Sequence, residues 1–368
     1  MAEQTLTTNR PSHTDYYNNR ILFSDLLYQD DEMLPFRYVF VLTNRCNLRC
    51  SFCFQEKGVL PGSMTTPEWL NVVNQIPDYG HVTLTGGEPL VFKGFKEVFL
   101  AVTKRLTCNI ITNGILLDEE VIELLLSRPN LKVLSISVDN VGNSIRGIAP
   151  EKWKRTEAML RHFKKRRDEL KSSVVLDTKT VILDDNCQDL EAIHRYCMEE
   201  LGADTHSFMF LKGAPIQHSD NMYEANAVDI AYTAHQYKNF PLVLSQLEAV
   251  RKYNQTSGKT CFTHPKAMDL NASGAFDPVE YQYLNSPDHH KELFAPCRSP
   301  WESVHVNVDV NLFPCMAVSI GNVKTTSLLE IIHGPDFRSF KKKIRTEGTV
   351  SGCNRCGYLQ KCKKTNAH

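Results

Sequence analysis

The sequence lacks three features that would place the chain at a membrane or on nucleic acid. Its 42 Lys and Arg residues are balanced by 42 Asp and Glu residues, so no net charge attracts a polyanion. No apolar run is long enough to cross a bilayer, and the polar stretch Met1–Asp15 contains no apolar signal-peptide core. We therefore expect a cytoplasmic protein with neither a membrane nor a nucleic acid as its partner.

The expected reducing compartment also argues against a disulfide framework, although the chain contains 12 cysteines. Metal ligation or catalysis is the better explanation for so many thiols there. Three lie close together near the start, at positions 46, 50 and 53. Five lie near the end, at positions 297, 315, 353, 356 and 362. The other four are scattered, at positions 108, 187, 197 and 261. For the scattered four, burial as inert thiols is the favoured role.

Strand and helix patterns alternate between residues 38 and 211. Short apolar, β-branched runs are typical of buried strands, and the longer stretches between them are typical of helices. The predicted strands are 38–42, 81–85, 108–112, 133–138, 174–182 and 206–211, and the predicted helices are 66–76, 95–105, 118–127, 152–171 and 187–201. This alternation implies a parallel sheet. Six units are too few for a closed eight-stranded barrel, so we expect an α/β fold: a partial (β/α)6 TIM-like barrel.

The pattern divides the chain into four segments. They are an N-terminal extension (1–34), the partial barrel (35–212), a bridging or lid segment (213–296) and a small C-terminal α+β module (297–368). One helix is predicted in the bridging segment, from about Val228 to Tyr253. In the C-terminal module, SVHVNVDVNLFPC predicts a hairpin that turns near Asp309–Asn311, and a helix is predicted over 327–345.

The motif CNLRCSFC places Cys46, Cys50 and Cys53 in one loop directly after the first predicted strand. In parallel barrels the loops at the carboxyl ends of the strands carry the reactive groups. Three neighbouring thiolates can bind three irons of a [4Fe–4S] cluster and leave the fourth iron open. The alternatives are three inert thiols or an incomplete zinc site, but zinc sites usually combine two C-x2-C elements. The loop therefore favours an open iron–sulfur cluster.

With this motif the chain resembles the radical S-adenosylmethionine (SAM) enzymes, and the resemblance extends from residue 36 to the C-terminus. The family has an aromatic residue just before the third cysteine, where this chain has Phe52. TGGEP (85–89) resembles the family's segment that receives the amino group of the SAM methionine. Its glycines allow close backbone approach, and Glu88 adds an acceptor. The resemblance implies these SAM-binding residues: Phe52, Gly86, Gly87, Glu88, Pro89, Asn113, Ser137, Asp139, Arg146 and Val181.

Three further segments resemble the ends of the family's later strands. ITNG (111–114) resembles the end of the third strand, and SISVD (135–139) with IRG (145–147) resembles the segment that contacts the ribose. The resemblance implies that Ser137 and Asp139 face the ribose. A turn or a helix cap explains Asp139 equally well.

The same resemblance implies that Arg146 approaches the methionine carboxylate and that Val181 and Ile182 contact the adenine. A surface ion pair explains Arg146 equally well, and core packing explains the two apolar residues equally well. The sequence does not identify a catalytic base. Five residues in or near the bridging segment are candidates, although packing or a surface role is favoured for each: His206, His218, Tyr223, His264 and Tyr281.

The resemblance also implies the chemistry. A reduced cluster chelated by SAM cleaves it to methionine and a 5′-deoxyadenosyl radical, which takes a hydrogen atom from the substrate. A reductant such as flavodoxin or ferredoxin would supply the electron. The protein's share is to orient the substrate and to exclude water.

The late cysteines need a second site, for which a zinc ribbon is the alternative. The stretch from CRSPW to CNRC, with GNV at 321–323, resembles the auxiliary-cluster module called SPASM or its shortened relative, twitch. A full module holds two clusters and needs more cysteines than the five present here. The resemblance therefore implies one auxiliary [4Fe–4S] cluster, and its candidate ligands are Cys297, Cys315, Cys353, Cys356 and, as an uncertain fifth, Cys362.

Two substrate classes remain. Only about 35 residues precede the first strand, too few for the leader-binding domain of many peptide maturases, although a separate protein could replace that domain. Shortened modules also recur in small-molecule enzymes. The sequence therefore favours oxidation or bond formation on a sugar, aminocyclitol or nucleoside in natural-product biosynthesis, with a peptide maturase as the alternative. The open cluster argues against a mere electron carrier.

Overall fold

A computed structural model of the chain describes residues 20–53, 64–212, 235–288, 290–315, 318–350, 353 and 355–362. Nine strands form one open sheet in the order β7-β6-β5-β4-β3-β2-β1-β8-β9. All neighbouring strands are parallel except β8 and β9, which form an antiparallel hairpin. The strands are β1 Arg37–Val41, β2 His81–Thr85, β3 Thr107–Thr112, β4 Leu131–Ser137, β5 Val175–Ile182, β6 Thr205–Phe210, β7 Cys261–His264, β8 Ser303–Val306 and β9 Leu312–Phe313.

Helices connect the strands, and their boundaries follow from local capping. Helix α2, for example, begins with a capping box between Thr65 and Glu68 and has a proline in its first turn. The helices are α1 Arg20–Gln29, α2 Thr66–Gln75, α3 Phe95–Arg105, α4 Glu119–Leu126, α5 Pro150–Glu169, α6 Leu190–Arg195, α7 Phe240–Ser257, α8 Ser299–Glu302, α9 Leu328–Ile332 and α10 Pro335–Glu347. Helix α6 continues as a π-helical turn over Tyr196–Glu200.

The core lies between the sheet and these helices. Tyr38 and Phe40 on β1 are fully buried, and the Phe40 ring packs at 4.8 Å from Trp69 of α2. Because side chains alternate along a strand, Arg37, Val39 and Val41 point to the opposite face, which is the interior of the partial barrel. The two faces of each strand therefore have different roles.

The structure confirms the α/β partial barrel, and each of the six predicted strands lies within two residues of its expected bounds. Two features extend it. Strand β7 adds a seventh parallel strand beside β6, and β8 of the C-terminal module pairs with β1. The predicted hairpin is present as β8 and β9, so this module continues the barrel sheet. The division into four segments stays a prediction.

Two predicted helices differ from the structure. The helix expected over 327–345 is split into α9 and α10, because Gly334 and Pro335 interrupt it and Pro335 begins the second helix. The helix expected from Val228 begins at Phe240, where Asn239 caps it and Pro241 occupies the first turn. Residues 228–234 lie outside the described part of the chain.

The N-terminal extension packs against the C-terminal module. Asp31, just after α1, accepts hydrogen bonds from Trp301 Nε1 and Arg345 Nη1, both at 2.7 Å. Tyr28 lies edge-on to the Trp301 ring. These contacts fix α8 and α10 against the end of α1. Among the described helices, none is long and apolar enough to cross a membrane.

Candidate active site and cluster-binding residues

The first cysteine loop lies at the carboxyl end of β1, as expected. Cys50 is buried, Cys53 is half-buried and Cys46 is exposed, and the Cys53 amide donates to the Cys50 carbonyl at 3.3 Å. The thiols are close enough to interact electrostatically. Burial raises the pKa of Cys50, whereas the neighbouring Arg146 guanidinium acts in the opposite direction. The structure therefore brings the three predicted ligands together.

The glycines of TGGEP allow two loops to pack backbone to backbone. The Gly87 amide donates to the Thr43 carbonyl at 2.6 Å, and the Glu88 amide donates to the Arg45 carbonyl at 2.9 Å. A Cβ atom on Gly87 would lie 2.4 Å from the Arg45 oxygen, and one on Gly86 would lie 2.6 Å from the Thr43 oxygen. The glycines are therefore required by the approach to the cysteine loop itself, which the sequence alone did not reveal.

Glu88 links the ends of β2 and β3. Its carboxylate is 1% exposed and accepts from Thr112 Oγ1 at 2.7 Å, from the Asn113 amide at 2.8 Å and from the Leu90 amide at 3.1 Å. Burial raises its pKa, while these donors lower it. Most of its acceptor capacity is thus used within the protein, so Glu88 positions the loop that follows it. Pro89 begins the short 3-10 turn there.

Asn113 reaches from the end of β3 to the cysteine loop. Its Nδ2 donates to Asn47 Oδ1 at 2.7 Å and lies 3.8 Å from Cys46 Sγ. Its Oδ1 accepts from the Ile115 amide at 3.0 Å. Strands β1, β2 and β3 are therefore tied together at the same edge of the sheet, where the sequence places the SAM segments.

Asp139 and Arg146 form a buried ion pair beyond β4. Asp139 is fully buried, and its Oδ1 also accepts from the Val181 amide at 2.6 Å. Arg146 Nη1 lies 3.8 Å from Cys50 Sγ, and its guanidinium lies 5.5 Å from the centre of the Phe52 ring. Neither residue is a surface group. The pair connects β4 and β5 to the cysteine loop.

The remaining predicted SAM contacts take different positions. Ser137, the last residue of β4, is half-buried on the same edge, opposite Lys179 in register. Val181 is half-buried, whereas the side chain of Ile182 belongs to the hydrophobic core. Core packing is thus the better explanation for Ile182.

The late cysteines divide into a group of four and an outlier. Cys297, Cys315 and Cys356 each lie close enough to Cys353 to raise its pKa electrostatically, although burial is the main cause. Cys362 is exposed, and its amide donates to the Leu293 carbonyl at 2.9 Å. The geometry therefore favours the first four as one ligand set.

In the described part of the chain, neither cysteine group has the tight arrangement of ligand atoms that a single bound ion requires. Among the described residues, neither group brings three ligand atoms within 4.8 Å of one another. Thiolates on one zinc ion, each about 2.3 Å from the metal, would lie about 4 Å apart. Each iron of a [4Fe–4S] cube instead takes its own thiolate. A sulfur-only donor set is compatible with such a cube.

Arg355, between Cys353 and Cys356, is a contact that the sequence reasoning missed. It is 3% exposed and donates to the Leu211 carbonyl at 2.6 Å and, through two nitrogens, to the Leu284 carbonyl. Leu211 directly follows β6. Arg355 therefore attaches the second cysteine group to the barrel wall. An arginine inside a C-x2-C motif was the available signal.

Two of the five residues proposed near the bridging segment are not part of the site edge. His206 points to the helix side of the sheet, where His206 Nδ1 lies 2.9 Å from His194 Nδ1. The ring centres are 5.2 Å apart and nearly coplanar, so the two nitrogens face each other in line, as in an N–H···N hydrogen bond. Tyr281 stacks on Phe276. His264 lies near Gly357, and His218 and Tyr223 lie outside the described residues.

Two family models match the chain. The model of the radical SAM superfamily matches residues 40–197, and that of the SPASM iron–sulfur cluster-binding domain matches residues 297–357. The chain belongs to the radical SAM superfamily. Its C-terminal module is a SPASM module, and the two domains imply SAM and [4Fe–4S] clusters as cofactors.

Curated relatives match over shorter segments. The sporulation killing factor maturation protein SkfB of Bacillus subtilis is 36% identical over 118 residues, which cover 31% of this chain and 28% of SkfB. The PqqA peptide cyclase of Granulibacter bethesdensis is 32% identical over 129 residues, covering 32% and 33%. A GTP 3′,8-cyclase of Clostridium perfringens is 38% identical over 109 residues, covering 27% and 33%. The matched segments thus span a third or less of each relative.

Among solved structures, Streptococcus suis SuiB has a similar fold. The two share a TM-score of 0.60 at 16% identity, and the alignment covers 92% of this chain and 76% of SuiB. SuiB has also been solved bound to SAM and bound to its precursor peptide SuiA. The likeness shows that this chain and SuiB share a fold.

Proposed function

We propose that this chain is a maturase that modifies a ribosomally made peptide by radical chemistry. The observation that carries the proposal is the pair of relatives named for peptide work, a killing-factor maturation protein and a peptide cyclase. The similar fold of SuiB, solved with a precursor peptide, supports it. This reverses the order of the two substrate classes that the sequence favoured.

The arguments for a small molecule are weaker than these likenesses. A shortened auxiliary module and a short N-terminal segment occur in some small-molecule enzymes, but neither identifies a substrate. The match to a GTP 3′,8-cyclase supports a second candidate function, the modification of a nucleotide substrate. The experiment below separates the two.

In this proposal Cys46, Cys50 and Cys53 hold the cluster that, when bound, supplies the electron for reductive cleavage of SAM to a 5′-deoxyadenosyl radical. Glu88 and Asn113 hold the neighbouring loops in place through the hydrogen bonds described above. Their task is to fix the geometry in which SAM meets the cluster.

Arg146 is the cation best placed to receive the SAM carboxylate. It is buried beside Cys50 and is oriented by its ion pair with Asp139. Asp139 in turn accepts from the Val181 amide of β5. A guanidinium held in this way loses little side-chain entropy when it binds a carboxylate.

The second cysteine group would hold one auxiliary cluster. We assign Cys297, Cys315, Cys353 and Cys356 as its ligands, because these four thiols influence one another electrostatically and Cys362 is exposed. Full ligation by protein thiolates suits electron transfer rather than substrate chelation. The auxiliary cluster would then accept or relay an electron during the oxidation or bond formation of the peptide.

The test is co-expression of the chain with each short peptide encoded beside its gene, followed by mass spectrometry. We expect a defined mass change in one peptide with the wild-type chain and none with Cys50→Ala. The purified, cluster-loaded protein is also incubated with GTP, SAM and a reductant. A product from GTP, with every peptide unchanged, would replace the maturase by the nucleotide enzyme.

A further inference from the structure

We propose that Lys179 on β5, with Ser207 beside it on β6, holds a backbone carbonyl of the peptide substrate in the interior of the partial barrel. The inference rests on the proposed function, because a peptide is the substrate that supplies such a carbonyl. Neither residue belongs to the cysteine groups or to the SAM contacts that the sequence predicts.

Strand alternation places both side chains in the barrel interior. Leu176 and Ile182 of β5 and Phe208 of β6 belong to the hydrophobic core on the helix side of the sheet. Lys179 and Ser207 occupy the alternate positions of the same strands, so they point to the interior. The two residues pair directly in the parallel β5–β6 ladder, whose strands lie about 4.8 Å apart. An ammonium group and a hydroxyl group are therefore neighbours there.

The interior face of β4, β5 and β6 is polar in two successive rows of the ladder. From β4 to β6 the lower row is Ser135, Asp177 and Thr205, and the upper row, nearer the carboxyl edge, is Ser137, Lys179 and Ser207. The interior of a complete α/β barrel is instead filled with layers of Val, Ile and Leu. This part of the wall therefore has the composition of a binding surface for a polar molecule.

The lower row fixes the position of the Lys179 side chain. Ser135 Oγ and Thr205 Oγ1 each donate to the Asp177 carboxylate at 2.8 Å, and Lys179 Nζ lies 2.9 Å from Asp177 Oδ2. Because Asp177 lies two residues nearer the amino end of β5, the ammonium group leans into the barrel, away from the carboxyl edge. Val181, the predicted adenine contact, occupies the next interior position toward that edge. Lys179 therefore lies beneath the proposed SAM site.

Lys179 and Ser207 both retain hydrogen-bonding capacity. An ammonium group has three N–H donors, and within the described ranges Lys179 forms one ion pair, with Asp177. The Ser207 hydroxyl has no hydrogen-bond partner in the part of the chain that the structure describes. The Lys179 side chain is 22% exposed, so its remaining donors are accessible. The interior thus offers two neighbouring donors to a ligand.

A neutral carbonyl fits these donors better than a carboxylate does. The Asp177 carboxylate already compensates the charge of Lys179, so the pair as a whole does not attract an anion. A carbonyl oxygen has two lone pairs and can accept from both neighbouring donors. Every residue of a peptide carries such an oxygen on its main chain. The contact would therefore position the peptide backbone without selecting a side chain.

The same interior wall leads to the second cysteine group. On the next row toward the carboxyl edge, Met209 of β6 pairs with His264 of β7. A Cβ atom on Gly357, which directly follows Cys356, would lie 3.5 Å from His264 Nδ1. A peptide held at Lys179 would thus lie on the wall that connects the proposed SAM site with the proposed auxiliary cluster. An oxidation that uses both groups requires this placement.

The first test measures the rate at which sulfo-N-hydroxysuccinimidyl acetate acetylates Lys179 in the cluster-loaded protein with SAM. Each short peptide encoded beside the gene is added separately, GTP forms a further arm, and mass spectrometry of a digest quantifies the label. We expect one peptide to slow labelling of Lys179 several-fold and to leave Lys104, an exposed residue of α3, unaffected.

The other outcomes separate this inference from the proposed function. Modification of a peptide without protection of Lys179 would overturn the inference and leave the maturase intact. Unchanged labelling with every addition would also overturn it. Protection by GTP alone would support a substrate contact at Lys179, but it would refute the peptide carbonyl and count against the maturase.

The second test compares the steady-state kinetics of the wild type with those of Lys179→Met, which keeps an unbranched side chain without N–H donors. The KM for the peptide should rise about 10-fold or more, with a smaller change in kcat, because a hydrogen bond from a charged donor is lost. Lys104→Met should behave like the wild type. An unchanged KM, or a loss of SAM affinity in place of peptide affinity, would overturn the proposal.

A double variant keeps this test decisive if Lys179→Met folds poorly. Combining Lys179→Met with Asp177→Asn removes both charges of the pair and should raise the KM by a similar factor. Peptides in which one amide at a time is replaced by an E-alkene then identify the carbonyl. One of them should bind equally to the wild type and to the variant, and a preference for the wild type with every alkene peptide would refute a backbone carbonyl as the ligand.

Discussion

Replacing Glu88 by Gln tests how far one buried carboxylate holds together the edge of the sheet that we propose binds SAM. In the wild type it accepts from Leu90, Thr112 and Asn113. Gln keeps one oxygen and adds an NH2 group. In either orientation that group faces a backbone amide, of Leu90 or of Asn113, which is left unsatisfied at a cost of about 1–3 kcal/mol. The other bonds lose their charge assistance, so the free energy of unfolding should fall by about 2–4 kcal/mol.

The assay is anaerobic urea unfolding of the cluster-loaded protein, combined with equilibrium binding of SAM. Glu88→Gln should lower the urea midpoint and weaken SAM binding, because Asn113 loses the acceptor that fixes it beside Cys46. Glu200→Gln, on the exposed end of the π-helical turn, is the control and should change stability by less than about 0.5 kcal/mol. A loss that small for Glu88→Gln, with unchanged SAM affinity, would refute the reasoning.

Three further predictions concern packing, the auxiliary module and pH. Gly87→Ala should reduce iron loading and cost about 1–3 kcal/mol, since its Cβ would meet the Arg45 carbonyl; iron loading equal to that of the wild type would contradict this. Arg355→Gln should lower the iron content from about eight toward about four per chain while 5′-deoxyadenosine is still formed; a full iron content would show that Arg355 does not support the second site. Burial lowers the pKa of His194 to about 4. Below about pH 6.5 the unfolded state therefore binds a proton that the folded state excludes. The free energy of unfolding should fall by up to about 1.4 kcal/mol per pH unit as the pH is lowered from 6.5 to 4. His194→Gln should show a shallower slope in urea unfolding, and superimposable profiles would count against a buried neutral imidazole.

The sequence predicts the barrel well where the signal is local. Strands such as β2 are short, apolar and bounded by turn residues, so their existence and limits follow from pattern alone. Strand β7 was missed because CFTH has four residues and follows a long helix. The pairing of β8 with β1 joins residues more than 260 positions apart, and no local pattern specifies such a partner.

For the candidate site, too, the sequence predicts the local features and misses the contacts between distant segments. The motifs identify which residues meet at the carboxyl edge of the sheet, and the structure brings Cys46, Asn113 and Arg146 to that edge. The motifs do not reveal which contacts those residues make with one another. The glycines of TGGEP pack on the Thr43–Arg45 backbone, and the Glu88 carboxylate accepts hydrogen bonds from the end of β3. Both contacts depend on distances between loops rather than on spacing in the sequence.

Formation of 5′-deoxyadenosine by single cysteine variants tests the central claim most directly. Each variant is loaded with iron and sulfide, reduced with dithionite and incubated with SAM, and the nucleoside is quantified. The account predicts that Cys46→Ala, Cys50→Ala and Cys53→Ala form none, whereas Cys362→Ala, which removes the exposed outlier, forms as much as the wild type. Formation by any of the first three at the wild-type level would contradict the assignment of the radical-generating cluster to this loop.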